Sequence, residues 1–252
     1  MAGLRCCETL DCAREVAFVG TQPLRGAADG RAVVSAVEQA TGVPLHVLDH
    51  EEEGLLNLLG ATGGRAVERP LAVVDIGGGS TEIVIVEPGS RARSGAVPVG
   101  CATLVRRLVA HDPALPAEVD ALRAEARLLA TAALPGTPEV ILALGGTASN
   151  LVKIVPAAGR DRVLTTRRLA AACGTLRSAP AADVAARFGI TAKRARLLPA
   201  GVAILSALLE RYGVPRATAV EEGLREGVVL ALARAGRDWR DRLDALAHGW
   251  TG

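Results

Sequence analysis

An α/β fold is predicted for this chain on three observations. Apolar runs of strand length alternate with amphipathic helix-length segments, a glycine turn joins two strongly apolar runs between Leu71 and Val86, and half of the composition is hydrophobic. Such alternation builds a sheet covered by helices. At 252 residues with 50% hydrophobic content there is ample material for a core, in one large domain or two smaller ones.

Taken in order, residues 4–14 read as the end of a helix and Glu15 to Gly20 (EVAFVG) as a short strand. Gly30 to Thr41 reads as an amphipathic helix, and Leu45 to Leu48 as a second strand. Asp49 stands at an N-cap position with Glu52 three residues on, the capping-box spacing, and opens a helix to about Leu59. The loop ATGGRAVERP, residues 61–70, carries turn formers and is the candidate boundary between two lobes. Residues 71–74 read as a buried strand ending in Asp75, residues 81–86 as a strand rich in β-branched residues, and residues 96–99 as a third. Helices are expected from Ala102 and over 117–133, then a strand VILAL at 140–144. Gly145 and Gly146 lead to Thr147, which is placed to cap a helix TASNLVKIV. A helical insertion fills roughly 165–211, Arg216 to Val220 reads as a final strand, and Glu222 to Arg234 as a helix.

Several function classes are excluded by composition. Net charge is +2 with 22% charged residues, which gives no global polycation field, and aromatics at 2% leave no base-stacking platform, so no nucleic-acid polymer is expected as a partner. The five cysteines (Cys6, Cys7, Cys12, Cys101, Cys173) form no C-x-x-C pair, and no histidine stands at zinc-ligand spacing. Glu8, Asp11, Arg14 and Glu15 interrupt the first twenty residues, and no later stretch is apolar enough to span a bilayer. No membrane partner and a cytoplasmic location follow as the expectation.

Chemistry concentrates in DIGGGSTE at 75–82. Gly77, Gly78 and Gly79 carry no Cβ, so the backbone is free to take positive φ and its N–H groups can converge on an anion at short range. Ser80 and Thr81 add hydroxyl donors, while Asp75 and Glu82 put carboxylates on either side of a phosphate-sized nest. Carboxylates beside phosphate imply Mg²⁺, since a hard divalent ion relieves their repulsion. Gly145, Gly146 and Thr147 form a second glycine turn that aims a helix N-terminus at one place. Glu51, Glu52 and Glu53 complement the start of their helix as first-turn acids. Gly223 and Gly227, four residues apart, suit close helix contact. His50 reads as a loop residue.

The order of three strands, helix, strand, helix, strand and helix after residue 70 resembles one lobe of the actin-like (ribonuclease H-like) ATPase-domain fold. Within that superfamily, DIGGGSTE resembles the exopolyphosphatase and guanosine pentaphosphate phosphohydrolase (Ppx/GppA) family. So do TQPLRGAAD at 21–29, DHEEEGLLNLLGA at 49–61, GGTASNL at 145–151 and GLREGV at 223–228, in matching order. The resemblance implies a Mg²⁺-dependent phosphoanhydride hydrolase that releases terminal phosphate from inorganic polyphosphate or guanosine pentaphosphate. It implies Glu53 as the catalytic base, Asp75 and Glu82 as organisers of metal and water, and Gly77 to Thr81 as the phosphate turn. Gly145, Gly146 and Thr147 are its second turn, and Arg25 matches an arginine suited to a bidentate phosphate contact. Arg225 and Glu226 are expected to be structural.

On the same resemblance, residues 1–70 form a partial first lobe on which residues 221–252 pack back, and residues 71–220 form a complete second lobe with the phosphate turn. Family members begin with a further segment that carries a first glycine-rich phosphate turn, so this chain opens at what resembles the first helix and lacks the initial three strands. An exposed sheet edge is expected, and with it a homodimer is compatible. Gly54 and Leu55 depart from the Ala-Arg of relatives. Two alternatives remain open: a catalytically weak polyphosphate- or alarmone-binding regulator, and an actin-like ATPase or kinase.

Overall fold

The computed structural model describes residues 16–155 and 157–248. The helix expected over 4–14 and the first three cysteines lie outside them. By contact, the chain separates into two compact units, residues 1–49 and 50–252.

The smaller unit holds β1 (Phe18–Gly20), α1 (Gln22–Arg25), α2 (Gly30–Thr41) and β2 (Leu45–Val47). β1 and β2 pair in parallel with Phe18 opposite Leu45, and Leu48 N–H extends the pairing to the Gly20 carbonyl at 2.8 Å. α2 stops at Gly42, whose φ of 69° is left-handed and whose N–H closes on the Glu38 carbonyl at 2.8 Å. The Glu38 carboxylate then accepts from Leu45 N–H at 3.2 Å and fixes the entry of β2.

The larger unit begins with α3 (His50–Thr62), followed by β3 (Leu71–Ile76), β4 (Thr81–Val86), β5 (Arg93–Val97), α4 (Cys101–Leu108) and α5 (Pro116–Thr131). Next come β6 (Val140–Leu144), α6 (Gly145–Ile154), α7 (Ala158–Asp161), β7 (Val163–Thr165), α8 (Thr166–Arg177), α9 (Ala181–Phe188) and α10 (Ala192–Tyr212). β8 (Arg216–Ala219), α11 (Leu224–Ala235) and α12 (Leu243–Ala247) close the described chain. One sheet of order β5-β4-β3-β6-β8-β7 runs through this unit, antiparallel at β5-β4-β3 and parallel at β3-β6-β8. β7 was not foreseen, because a strand of three residues inside a helical stretch has no period to read. It pairs antiparallel with β8, after a left-handed Arg162 (φ 56°) whose guanidinium donates to the Ala219 carbonyl at 2.8 Å.

The two faces of the sheet bury different partners. Ala72, Val74, Ile76, Ile83, Ile85, Ile141 and Ala143 point into a continuous core shared with α4, α5, α6, α8, α9 and α10. The opposite face of β3 and β4 carries α3, which packs on β3, β4 and β5 and against α11. That packing is why the division by contact falls at Asp49–His50, ahead of the 61–70 loop.

Glycines set the α3–α11 distance. A Cβ on Gly227 would overlap the Leu56 carbonyl oxygen and stand 2.8 Å from its carbon, and one on Gly60 would do the same to Gly223. Gly227→Ala forces backbone apart, so a loss of about 3 kcal/mol in chemical denaturation is expected. Among the described residues no helix is long and apolar enough to cross a membrane.

Candidate active site

The register of the central hairpin creates the site. Asp75 on β3 stands directly opposite Glu82 on β4, so both side chains leave the sheet on the face that α3 covers. Like charges directly opposite repel, and α3 adds a third acid, Glu53, 7% exposed. Burial first, then Glu82 and then Glu53, push the Asp75 carboxyl up to about 6, and the Asn57 side chain partly offsets them as a hydrogen-bond donor. Three acids gathered on one covered face of the sheet leave a negative charge density that a cation would relieve.

Glu82 is held in place. Its Oε1 accepts from Ser80 Oγ and lies 3.6 Å from His50 Nδ1. His50, expected in a loop, is the first residue of α3. Neighbouring Glu52 turns away to Arg240, whose Nη2 donates to it at 2.8 Å. Gly54 lets the helix lie this close, because a Cβ there would stand 2.7 Å from Val84 Cγ2 and overlap Ser94 Oγ.

The first glycine turn is not left-handed as expected, since neither Gly77 nor Gly78 has a positive φ. Their carbonyls face the start of α4: Gly77 O accepts from Cys101 N–H at 2.9 Å, and Gly78 O from Ala102 N–H at 2.9 Å. That approach requires glycine at Gly100, where a Cβ would stand 2.6 Å from the Gly78 carbonyl carbon, whereas a Cβ on Gly78 would meet nothing closer than Ala102 Cβ at 3.7 Å. With the carbonyls turned to the helix, the N–H groups of exposed Gly78 and Gly79 meet no acceptor among the described residues. The hydroxyl donors expected of this turn are committed inside the protein. Ser80 donates to Glu82, and Thr81 to the Val99 carbonyl at 2.9 Å.

The left-handed glycine belongs to the second turn. Gly145 has φ 73°, and a Cβ there would overlap Asp75 Oδ1, so the N-terminus of α6 starts against the Asp75 carboxylate. α6 begins at Gly145, which puts Thr147 inside the helix and not at its cap. Its hydroxyl instead donates to the Ile76 carbonyl at 2.7 Å and ties the second turn to the end of β3. Cys101 Sγ lies 3.5 Å from the same hydroxyl, with its thiol pushed up by burial.

Two residues at this place were missed by sequence reasoning. Arg194, at the start of α10, puts its guanidinium over the second turn, 2.7 Å from where a Gly146 Cβ would stand, and no carboxylate pairs with it among the described residues. Nothing in TAKRARLLP distinguishes it from Lys193 or Arg196. Asn57 had a signal, a lone polar residue in the run LLNLLG one turn after Glu53. Arg25 belongs to the smaller unit, where its guanidinium donates to the Leu48 carbonyl.

The Ppx/GppA phosphatase family matches over residues 5–235. An uncharacterized protein of Streptomyces coelicolor is 32% identical over 234 residues, 87% of this chain and 69% of that protein. A guanosine-5'-triphosphate,3'-diphosphate pyrophosphatase of Aeromonas hydrophila is 30% identical over 91% of this chain and 48% of its own length. The chain thus spans about half the length of the pyrophosphatases it matches. Among solved structures, the Ppx/GppA protein of Aquifex aeolicus overlays 93% of this chain and 79% of its own with a TM-score of 0.81 at 23% identity. An exopolyphosphatase of Cytophaga hutchinsonii overlays 92% of this chain and 79% of its own at 0.79 and 18% identity. The fold is therefore that of the Ppx/GppA proteins, of the actin-like ATPase type. By family match and fold together, the chain belongs to the Ppx/GppA phosphatase family.

Proposed function

We propose that this chain hydrolyses the terminal phosphoanhydride of inorganic polyphosphate or guanosine pentaphosphate, with Mg²⁺. The observation that carries this reading is the Asp75–Glu82 pair facing the sheet side that Glu53 covers, beside the open amides of Gly78 and Gly79.

Phosphoryl transfer asks a protein mainly for positioning and charge neutralisation. In this reading the open amides of Gly78 and Gly79 and the α6 N-terminus at Gly145, Gly146 and Thr147 hold phosphate oxygens, and Arg194 adds charge beside Gly146. Arg25 is assigned to phosphate on the resemblance alone. Glu53 orients the attacking water and takes its proton. Ser80 keeps Glu82 in a fixed orientation.

The donor set fits Mg²⁺. Asp75 and Glu82 offer hard oxygens whose mutual repulsion a divalent ion relieves. Among the described residues no three His, Cys, Asp or Glu side chains converge to enclose an ion by themselves. That suits Mg²⁺ held by one or two carboxylates, with phosphate oxygens and water on its other side. When bound, the ion supplies charge neutralisation between carboxylates and phosphate.

The test is release of orthophosphate from polyphosphate and from guanosine pentaphosphate with Mg²⁺, expected for at least one of them and abolished by EDTA. Robust ATP turnover with both phosphate chains inert would overturn the reading in favour of an ATPase or kinase. Binding of either chain without release, unchanged by Glu53→Gln, would make it a regulator. Arg194→Met is expected to raise KM roughly tenfold in the same assay with kcat within about twofold, as for a lost charged contact made equally before and during the reaction.

A further inference from the structure

α4 begins on a turn and not on a capping side chain. Its N-cap is Gly100, which has no side chain to offer, so the first N–H groups of the helix need acceptors from elsewhere. They find them in the first glycine turn. Cys101 N–H donates to the Gly77 carbonyl at 2.9 Å, Ala102 N–H to the Gly78 carbonyl at 2.9 Å, and Thr103 N–H to that same Gly78 carbonyl at 3.2 Å. The Thr81 hydroxyl, donating to the Val99 carbonyl at 2.9 Å, ties the far end of the turn to the residues just before α4.

Those bonds fix more than the carbonyls. A peptide unit is planar and trans, so its C=O and N–H point to opposite sides. The Gly77 carbonyl shares its plane with Gly78 N–H, and the Gly78 carbonyl shares its plane with Gly79 N–H. Holding both carbonyls on α4 therefore turns both amides outward, to the exposed side of the turn. A carbonyl that accepts a hydrogen bond also polarises its own peptide N–H into a stronger donor. α4 is a firm base for this, since Leu104 and Val105 are buried in the core and the helix packs on α5 and α10.

Gly100 lets turn and helix meet. It is buried, and its backbone is extended (φ −131°, ψ −174°), a conformation any residue adopts. The need for glycine is thus contact alone, because a Cβ would stand 2.6 Å from the Gly78 carbonyl carbon and 2.7 Å from its oxygen. We infer that α4 aims the phosphate turn: its first N–H groups hold the Gly77 and Gly78 carbonyls so that the Gly78 and Gly79 amides face a phosphate, and Gly100 is the positioning residue that permits this contact. The inference rests on the reading of this turn as a phosphate site given above. Gly100 touches no phosphate and acts through the turn.

The experiment is calorimetric titration of the full chain with inorganic polyphosphate and with guanosine pentaphosphate in Mg²⁺, in a Glu53→Gln parent that slows turnover. Mn²⁺ binding without phosphate, read by the free-ion electron paramagnetic resonance signal, is measured alongside. Gly100→Ala is expected to weaken binding of whichever chain the parent takes by about 10–100-fold, the weight of a hydrogen bond to a charged acceptor. Mn²⁺ affinity is expected to stay as in the parent, because strand register fixes Asp75 opposite Glu82. Cys101→Pro covers the case in which Gly100→Ala does not fold. Proline suits the first position of a helix, follows an extended residue here, and has no N–H for the Gly77 carbonyl. It is expected to bind the phosphate chain about tenfold more weakly than Cys101→Ala, which loses the same thiol and keeps the N–H. Parent affinity for the phosphate chain in these variants, whatever their Tm, would overturn the role of α4 and make Gly100 a packing residue. Loss of Mn²⁺ binding in step with the phosphate would overturn it too, as damage to the whole site. No binding of either chain by the parent would overturn the phosphate reading itself.

Discussion

Glu53→Gln is expected to lower kcat for orthophosphate release by about 10²–10⁴, the contribution of a positioned general base, with KM changed little or lowered. The side chain is buried in the first turn of α3 and faces the Asp75–Glu82 pair, so glutamine keeps the shape and loses only the proton acceptor. Removing this charge also relieves Asp75, whose carboxyl Glu53 helps to push up. Phosphate then meets one anion fewer, which is why KM should not rise. Steady-state orthophosphate release at saturating Mg²⁺ checks this. A kcat within about threefold of wild type would remove Glu53 from the chemistry and leave proton transfer to another group.

Asp75→Asn is expected to abolish turnover, by 10²-fold or more, and yet to stabilise the protein at alkaline pH. The sign follows from the carboxyl's shift from 3.8 to about 6 in the folded chain. Between these values the folded state keeps a proton that the unfolded state has released, so stability falls as pH rises through this window. Above it the penalty is at most about 3 kcal/mol, and it is absent below about pH 4. Tm measured in EDTA at pH 8 should therefore be higher for Asp75→Asn than for wild type, and equal at pH 4. Mg²⁺ should raise the wild-type Tm at pH 8 and leave the variant unmoved. A variant that melts below wild type at pH 8 would mean that Asp75 is stabilised by its surroundings.

The sequence by itself determined the elements with a readable period and the residues with a readable chemistry. Gly30 to Thr41, residues 81–86 and residues 140–144 match the observed helix and strands end for end, because their apolar spacing is long enough to set the type of element. Asp75, Glu82 and the two glycine turns stood out because acids and glycines between apolar runs are costly unless used, whereas Glu53 was singled out only by the family resemblance, since three consecutive acids also suit a helix start. Short β7 and α1 were not, since three or four residues carry no period.

Tertiary structure decided what those residues face. Residue types alone could not tell that the Gly77–Gly78 carbonyls turn to α4 while the left-handed position is Gly145, because both depend on which helix start lies beside each turn. Nor could they tell that the hydroxyls of Ser80, Thr81 and Thr147 are spent on Glu82, Val99 and Ile76, or that Arg194 overlies Gly146. A pairing register puts Asp75 opposite Glu82, and a backbone contact at Gly60 and Gly227 sets the depth of α3 over them. Both join residues far apart in the chain, so the ionisation of the site is a property of packing that no local pattern encodes.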